Sequence, residues 1–317
     1  MNTFFLDRLN SEPHALAFAG QSTPWPVALA DQSANPALDE ALHTHAAAAQ
    51  ALLYPVSAEL LATTGRPVDL FGFEPNPARL GAAAAASASV PGIALTQLGA
   101  LLDAAALGYN PAQAKPVAVL GHSQGVLAVH MVQAICEAGS IDAAAAKIDE
   151  ILAIATLIGV AGTRQARQLG LAARHGEATP MLSVKDITRA QVDALIERVD
   201  GAHGPIAVAV TNSATHYVLS GYPEDLAAFG VEVAKEHKRQ AKLREEKVRG
   251  GRVFGPTLEY LDVTLPFHSP LMADAVSQAV AWAEACGINA DHARELAAEV
   301  LLNHVDWAAR VRALMKS

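Results

Sequence analysis

The sequence predicts an α/β fold: a large domain with a short parallel sheet and a nucleophile elbow, carrying a smaller α+β domain as an insertion. Three observations predict it. Val117 to Leu120 is a continuous apolar run that leads straight into Gly121-His122-Ser123-Gln124-Gly125, and Val126 to Ile135 then reads as an almost wholly apolar helix. From Pro180 the pattern runs strand, helix, strand, strand, helix, strand. After Leu265-Pro266-Phe267-His268-Ser269-Pro270 a proline-initiated helix returns the chain to the large domain. The boundaries expected are 1–177 with 266–317 for the large domain, and 178–265 for the insertion.

The apolar run before Gly121 is what a strand buried on both faces of a parallel sheet requires. Strand, G-x-S-x-G, helix is the nucleophile elbow. A serine lifted out of so sharp a turn needs strained backbone angles, and Gly121 and Gly125 leave no Cβ to collide there. The helix beyond points free N–H groups and its positive dipole end at any negative charge forming nearby. Ser123 is the candidate nucleophile; the alternative is a glycine-flanked turn with an idle serine.

Taken in order, Ala15 to Ala19 is a short strand that breaks at Gly20-Gln21-Ser22-Thr23-Pro24. Such a loop lines a site above a sheet, with N–H groups placed to make half of an oxyanion hole, or else it is an ordinary turn. Asn35 to Leu61 is alanine-rich and helical, and Gly65 to Leu80 is a surface connection. His43 and His45 stand two apart, share no helix face, and are not expected to bind metal. Gly81 to Ala88 is an alanine-serine tract; Val90-Pro91-Gly92 then precedes a helix from Ile93 to Leu107. Past the elbow, Gly139 stops the helix, and a new one runs from about Asp142 to Ala161 with an uncharged second half, Ile151 to Val160.

In the insertion, Met181 to Val184, Ile206 to Val210, Tyr217 to Ser220 and Leu258 to Leu265 read as strands, with Thr211 to His216 as a turn. Helices are expected at Arg189 to Val199 and from Pro223 onward. This is the ferredoxin-like order. The second helix leads into Lys235 to Arg252, where eight cations stand against Glu236, Glu245 and Glu246. A solvated face accounts for that, or a docking place for an anionic partner or a phosphate.

Composition bounds the function. The 317 residues are 51% hydrophobic and 17% charged, enough for a large core, and the formal net charge of −9 speaks against general nucleic-acid binding. Cys136 and Cys286 form no C-x-x-C, so a reducing cytoplasm is expected and a disulfide framework is not. Neither terminus reads as a targeting signal, and no apolar run reaches the ~20 residues of a membrane span. The closing helix, Trp307 to Lys316, reads as cut, so a longer parent polypeptide is expected.

Three segments in order, AFAGQS, GHSQG and PFHSPLM, resemble signatures of the malonyl/acetyl-CoA:acyl-carrier-protein acyltransferase family. The similarity runs from about Phe18 to Val311. GHSQG, with glutamine after the serine, is most similar to the acetyltransferase domain of bacterial and fungal type I fatty acid synthases. Asn212-Ser213 resembles the family's lid turn, and Val305-Asp306-Trp307 its last motif.

The resemblance implies an α/β-hydrolase-like large domain and a Ser–His dyad, Ser123 as nucleophile and His268 as general base and then acid. It implies an oxyanion hole from the backbone N–H of Gln21 and of Gln124, with His122, Asn212 and Ile158 binding substrate. An alcohol at neutral pH needs a base within reach, and a tetrahedral oxyanion needs two preorganised donors. Two departures stand out. Many members orient the histidine by a main-chain carbonyl from an Asn-Val-type strand, whereas Ile288 to Val300 reads only as helix. Malonyl-selective members pair the substrate carboxylate with an arginine followed by glycine, where this chain has Ile158-Gly159. Burying that carboxylate unpaired costs on the order of several kcal/mol, so an uncharged acyl group is expected. Arg164 is the alternative specificity residue.

The activity implied is ping-pong transfer of an acetyl group from CoA, through an acyl-serine, to the phosphopantetheine thiol of an acyl carrier protein, as starter loading in fatty acid synthesis. No tightly bound cofactor is expected. Acetyl-CoA is a substrate, and other domains of a larger synthase are expected partners. A malonyl transacylase, an α/β-hydrolase thioesterase or esterase, and a non-catalytic docking module of a megasynthase are the other readings.

Overall fold

The computed structural model describes residues 8–20, 24–69, 85–171, 178–247 (backbone only for 243–247) and 255–316. The apolar segments at the start and before the elbow become β1 (Ala15–Phe18) and β2 (Ala118–Gly121), which pair in parallel with Ala15 opposite Ala118 and Phe18 opposite Gly121. Around them lie α1 (Trp25–Ser33), α2 (Pro36–Leu52), α3 (Ser57–Thr64), α4 (Ala86–Ala106), a single turn α5 (Pro111–Ala114), α6 (Val126–Ala138) and α7 (Ala145–Gln168). Near the chain end come α10 (Ala273–Ala285) and α11 (Ala290–Leu301). Between α7 and α10 stand β3 (Met181–Lys185), α8 (Arg189–Ile196), β4 (Ala207–Ser213), β5 (His216–Ser220), α9 (Pro223–Lys247) and β6 (Thr257–Tyr260). Last are β7 (Val305–Asp306) and α12 (Trp307–Leu314).

The chain divides into two compact units, 1–164 with 274–300 and 165–273 with 301–317. In the first unit α4 is the most deeply buried helix, with Val90, Ile93, Leu95 and Leu98 wholly out of solvent. By length and composition α4 is apolar enough to cross a membrane, yet 72% of its most apolar stretch is buried inside the protein, which is the burial of a core helix. The uncharged half of α7 is equally buried, from Ile151 through Val160. His45 on α2 bonds Asp149 on α7 through Nδ1 and Oδ1 at 2.6 Å, so it ties two helices together. No group of three or more metal-ligating side chains occurs among the described residues.

Two expectations for this unit change. β2 is only half-buried over Ala118 to Leu120, and Val117 is 60% exposed, because just one strand pairs with it among the described residues. The helix expected from Ile93 begins at Ala86 and carries Pro91 inside it. A proline there removes one intrahelical bond. Burial of Ala86, Ala88, Val90 and Pro91 outweighs that local break.

The second unit is a five-stranded sheet in the order β6-β3-β5-β4-β7. Its first four strands in that order, with α8 and α9, have the ferredoxin-like arrangement, all antiparallel pairs. Leu182, Val184, Tyr217, Leu219, Leu226 and Phe229 form its core. Thr188 starts α8 with a capping box to Gln191, which satisfies two otherwise orphaned N–H groups. β4 runs on to Ser213, leaving only Ala214-Thr215 as the turn. The last strand stops at Tyr260 instead of Leu265: Leu261 N still bonds Met181 O, but Val263 N then turns back to Leu261 O at 2.8 Å. β7 joins the sheet in parallel beside β4, Val210 opposite Val305. That pairing carries the chain from Leu301 onward into the unit of the ferredoxin-like sheet, where the sequence reading groups it with the large domain.

Candidate active site

The elbow is built as its residues require. β2 ends at Gly121, His122 is extended and donates its N–H to Phe18 O at 2.9 Å, and Ser123 turns to φ +54°. Left-handed backbone is costly for a residue with a Cβ and persists only where the surroundings impose it. Here they do. A Cβ on Gly121 would stand 2.4 Å from Val126 N, and one on Gly125 would stand 2.3 Å from Phe18 O. Gly125 N closes the turn on His122 O at 3.0 Å, and α6 begins at Val126, so a helix N-terminus follows the serine directly.

Gln124, the expected oxyanion donor after the serine, is wholly buried in this turn. The segment leaving β1 passes against it. A Cβ built on Gly20 would lie 2.9 Å from Ser123 Cβ and 3.4 Å from Gln124 N. Gln21, the other expected donor, lies outside the described residues.

His268 sits in the second unit, 2% exposed, and it too has left-handed backbone, φ +56°. Its Nδ1 lies 2.8 Å from the main-chain oxygen of Asn303. A carbonyl oxygen can only accept, so Nδ1 carries the proton and Nε2 is the basic nitrogen. Ser269 fixes the turn beyond: its N–H donates to Leu301 O at 3.2 Å, and its hydroxyl accepts from Leu271 N. The orienting carbonyl that the sequence does not reveal is therefore present, two residues past the end of α11 and two before β7. A main-chain carbonyl has no signature of its own in the sequence, so nothing local to Asn303 marks it for this role.

Of the substrate-binding expectations, Ile158 is wholly buried on α7, and Gly159 lets α7 approach α4, since its Cβ would stand 2.3 Å from Ala86 O. Arg164 is exposed and engaged: it donates to Gln278 Oε1 at 2.7 Å and lies 6.0 Å from the Trp282 ring, both on α10. Asn212 lies at the end of β4, its Nδ2 3.5 Å from His216 Nε2, and Ser183 Oγ is 3.0 Å from the same nitrogen. Ser183 and His216 lie on the sheet face opposite Leu182, Val184 and Tyr217.

The basic segment is partly self-neutralised. Lys235 pairs with Glu232 at 2.7 Å, while Arg239 and Arg198 both grip Glu236. The hydrogen bond from Arg239, helped by Gln240 and Arg198 against the opposing effect of burial, holds the Glu236 carboxyl down at about 2. Lys238 and Lys242 are exposed. Arg249 and Arg252 lie outside the described residues, as do the side chains of Arg244 and Lys247.

Comparison with known proteins bears on the fold that carries these residues. The family described as "Fatty acid synthase central AT domain" matches residues 180–260. The beta subunit of the fatty acid synthase of Schizosaccharomyces pombe is 28% identical over 210 residues, which cover 59% of this chain and 10% of that protein. The chain thus spans about a tenth of that relative's length. Among solved structures, a malonyl-transacylase in complex with a type II polyketide synthase acyl-carrier protein superposes with a TM-score of 0.60 and 16% identity, covering 96% of this chain and 86% of that one. The malonyl CoA-acyl carrier protein transacylase of Coxiella burnetii gives 0.59 and 16%, covering 96% and 84%. These two likenesses establish the α/β acyltransferase fold.

Proposed function

We propose that this chain, an acyltransferase of the fatty acid synthase type, carries a short uncharged acyl group, acetyl first of all, from CoA to the phosphopantetheine thiol of an acyl carrier protein. The observation that carries the reading is Ser123 held at φ +54° between a strand end and a helix N-terminus. In the first half-reaction Ser123 Oγ bonds the thioester carbon and gives its proton to His268 Nε2. The carbon–sulfur bond then breaks, and the proton leaves with CoA as its thiol. In the second half the carrier's thiol attacks the acyl-serine with the same two groups reversed. The N–H of Gln124, with one from the Gly20-Gln21 loop, stabilises the oxyanion in each half.

Acetyl over malonyl follows from Ile158. An apolar side chain gives a free carboxylate nothing to pair with, and Arg164 is committed to Gln278 and Trp282. The exposed Lys238 and Lys242 offer an acidic carrier a place to dock. Intact-mass measurement after incubation with acetyl-CoA and malonyl-CoA tests the reading: one acetyl on Ser123, removed by a pantetheine thiol, is expected. Release of the acyl group to water at the same rate without any thiol would point to a thioesterase.

A further inference from the structure

Gln97 has no role in the mechanism above, yet it stands in the middle of α4 at 8% exposure, among the wholly buried Ile93, Ala94, Leu95 and Leu98. A core helix has no packing reason for a long amide at such a position. A buried amide is costly unless both its ends are bonded. Its Nε2 donates to Ala19 O at 2.6 Å, 78 residues away in sequence. Its Oε1 is buried and has no hydrogen-bond partner among the described residues. One end of the amide is thus committed to a single backbone carbonyl, and the other end is left at a cost.

That carbonyl belongs to the segment that leaves β1 and touches the nucleophile. Phe18 O accepts from His122 N, and a Cβ on Gly125 would stand 2.3 Å from Phe18 O and 2.9 Å from Ala19 O. One residue on, a Cβ on Gly20 would stand 2.6 Å from His122 O. The segment 18–20 is therefore pressed on the elbow from one side and tied to α4 by Gln97 from the other. α4 also packs against the Ser123–Gly125 turn itself. We propose that Gln97 is a positioning residue, whose amide holds Ala19 and Gly20 at a fixed height over Ser123 and so preorganises the loop side of the oxyanion hole. The inference rests on Ser123 being the nucleophile, but not on which acyl donor it uses.

The test compares Gln97→Met, which keeps the length of the side chain and removes its hydrogen bonds, with Gln97→Asn, which keeps the amide but falls short of Ala19. The readout is the second-order rate of Ser123 phosphonylation by a fluorophosphonate, whose phosphoryl oxygen gains charge at the same donors, together with the thermal midpoint. Both variants are expected to react roughly 10–100-fold more slowly, somewhat less than full removal of an oxyanion donor produces. Gln97→Met is expected to keep or raise the midpoint, since it also removes the buried orphan oxygen. With acetyl-CoA, kcat is expected to fall while KM holds. A lower midpoint with an unchanged labelling rate in either variant overturns the proposal, because it shows a structural amide only. If Gln97→Met fails to fold, Gln97→Asn decides alone on the same criterion. Labelling of the unmodified protein without any uptake of acetyl would sink the acyl-transfer reading and leave the Gln97 comparison standing; no labelling of the unmodified protein would overturn the Gln97 proposal as well.

Discussion

The Nδ1 of His268 lies 2.8 Å from the main-chain oxygen of Asn303. This contact fixes the tautomer of a buried histidine by a group that no side-chain substitution removes. Asn303 precedes β7, whose pairing with β4 through Val305 and Val210 holds the carbonyl in place. Asn303→Ala should therefore leave kcat within about threefold, whereas His268→Ala should slow acylation by roughly the 10²–10⁴ of a lost general base. Steady-state kinetics with a CoA thioester checks both. A large loss in Asn303→Ala would assign the work to the asparagine side chain instead.

The elbow glycines make a second test, through backbone that cannot yield. In Gly125→Ala the new Cβ meets Phe18 O at 2.3 Å, so roughly 1–3 kcal/mol of overpacking is expected, with loss of fluorophosphonate labelling. Gly65→Ala is the control. Gly65 has φ +74° and nothing within 4 Å of its Cβ, so only the left-handed cost of about 1 kcal/mol is expected, with labelling intact. Denaturant midpoints and labelling rates separate the two cases.

How much of this was legible beforehand follows the range of the interactions. Ser123 and His268 sit in turns written by their immediate neighbours, Gly121 and Gly125 for one, Pro266 and Pro270 for the other. The burial of β2 depends on how many strands flank it, and the start of α4 at Ala86 on what covers Pro91. Neither is a local property. The Asn303 carbonyl left little trace because every residue has one, and only the fold says which of them faces a histidine. Gln97 is silent in the sequence for a related reason: a single polar residue in an apolar helix gains meaning only with the position of Ala19.

Glu236 gives the ferredoxin-like unit a pH dependence. Its carboxyl is held at about 2, below its ordinary 4.5, chiefly by Arg239. A carboxyl depressed in the folded state binds fewer protons there than when unfolded. Its stabilisation is present in full above about pH 5 and is lost as pH falls toward 2. Glu236→Gln should thus lower the urea midpoint at pH 7, and the gap to the unmodified protein should close on acidification. Salt should shrink the gap too, because Arg198 and Arg239 are about half exposed, at 46% and 60%. A gap that persists at pH 2 would mean that packing, not charge, is lost.

Acyl selectivity separates Ile158 from Arg164. Malonyl and acetyl thioesters differ by one carboxylate, and a net penalty of about 3 kcal/mol on it disfavours malonyl roughly a hundredfold. Arg164→Gln should leave the kcat/KM ratio of the two donors unchanged. Ile158→Arg should move it toward malonyl, though with some loss of rate, since an arginine overpacks a site where isoleucine is wholly buried. Competition between the two CoA thioesters reads the ratio directly.

The most direct test of the whole account is the mass of the intact protein after brief exposure to acetyl-CoA, followed by addition of a carrier protein bearing its phosphopantetheine thiol. The account predicts one acetyl on the unmodified chain, located at Ser123 by peptide mapping, transferred stoichiometrically to the carrier, and none on Ser123→Ala. Acetyl retained by Ser123→Ala, or an acyl-enzyme that the carrier does not discharge, would contradict it.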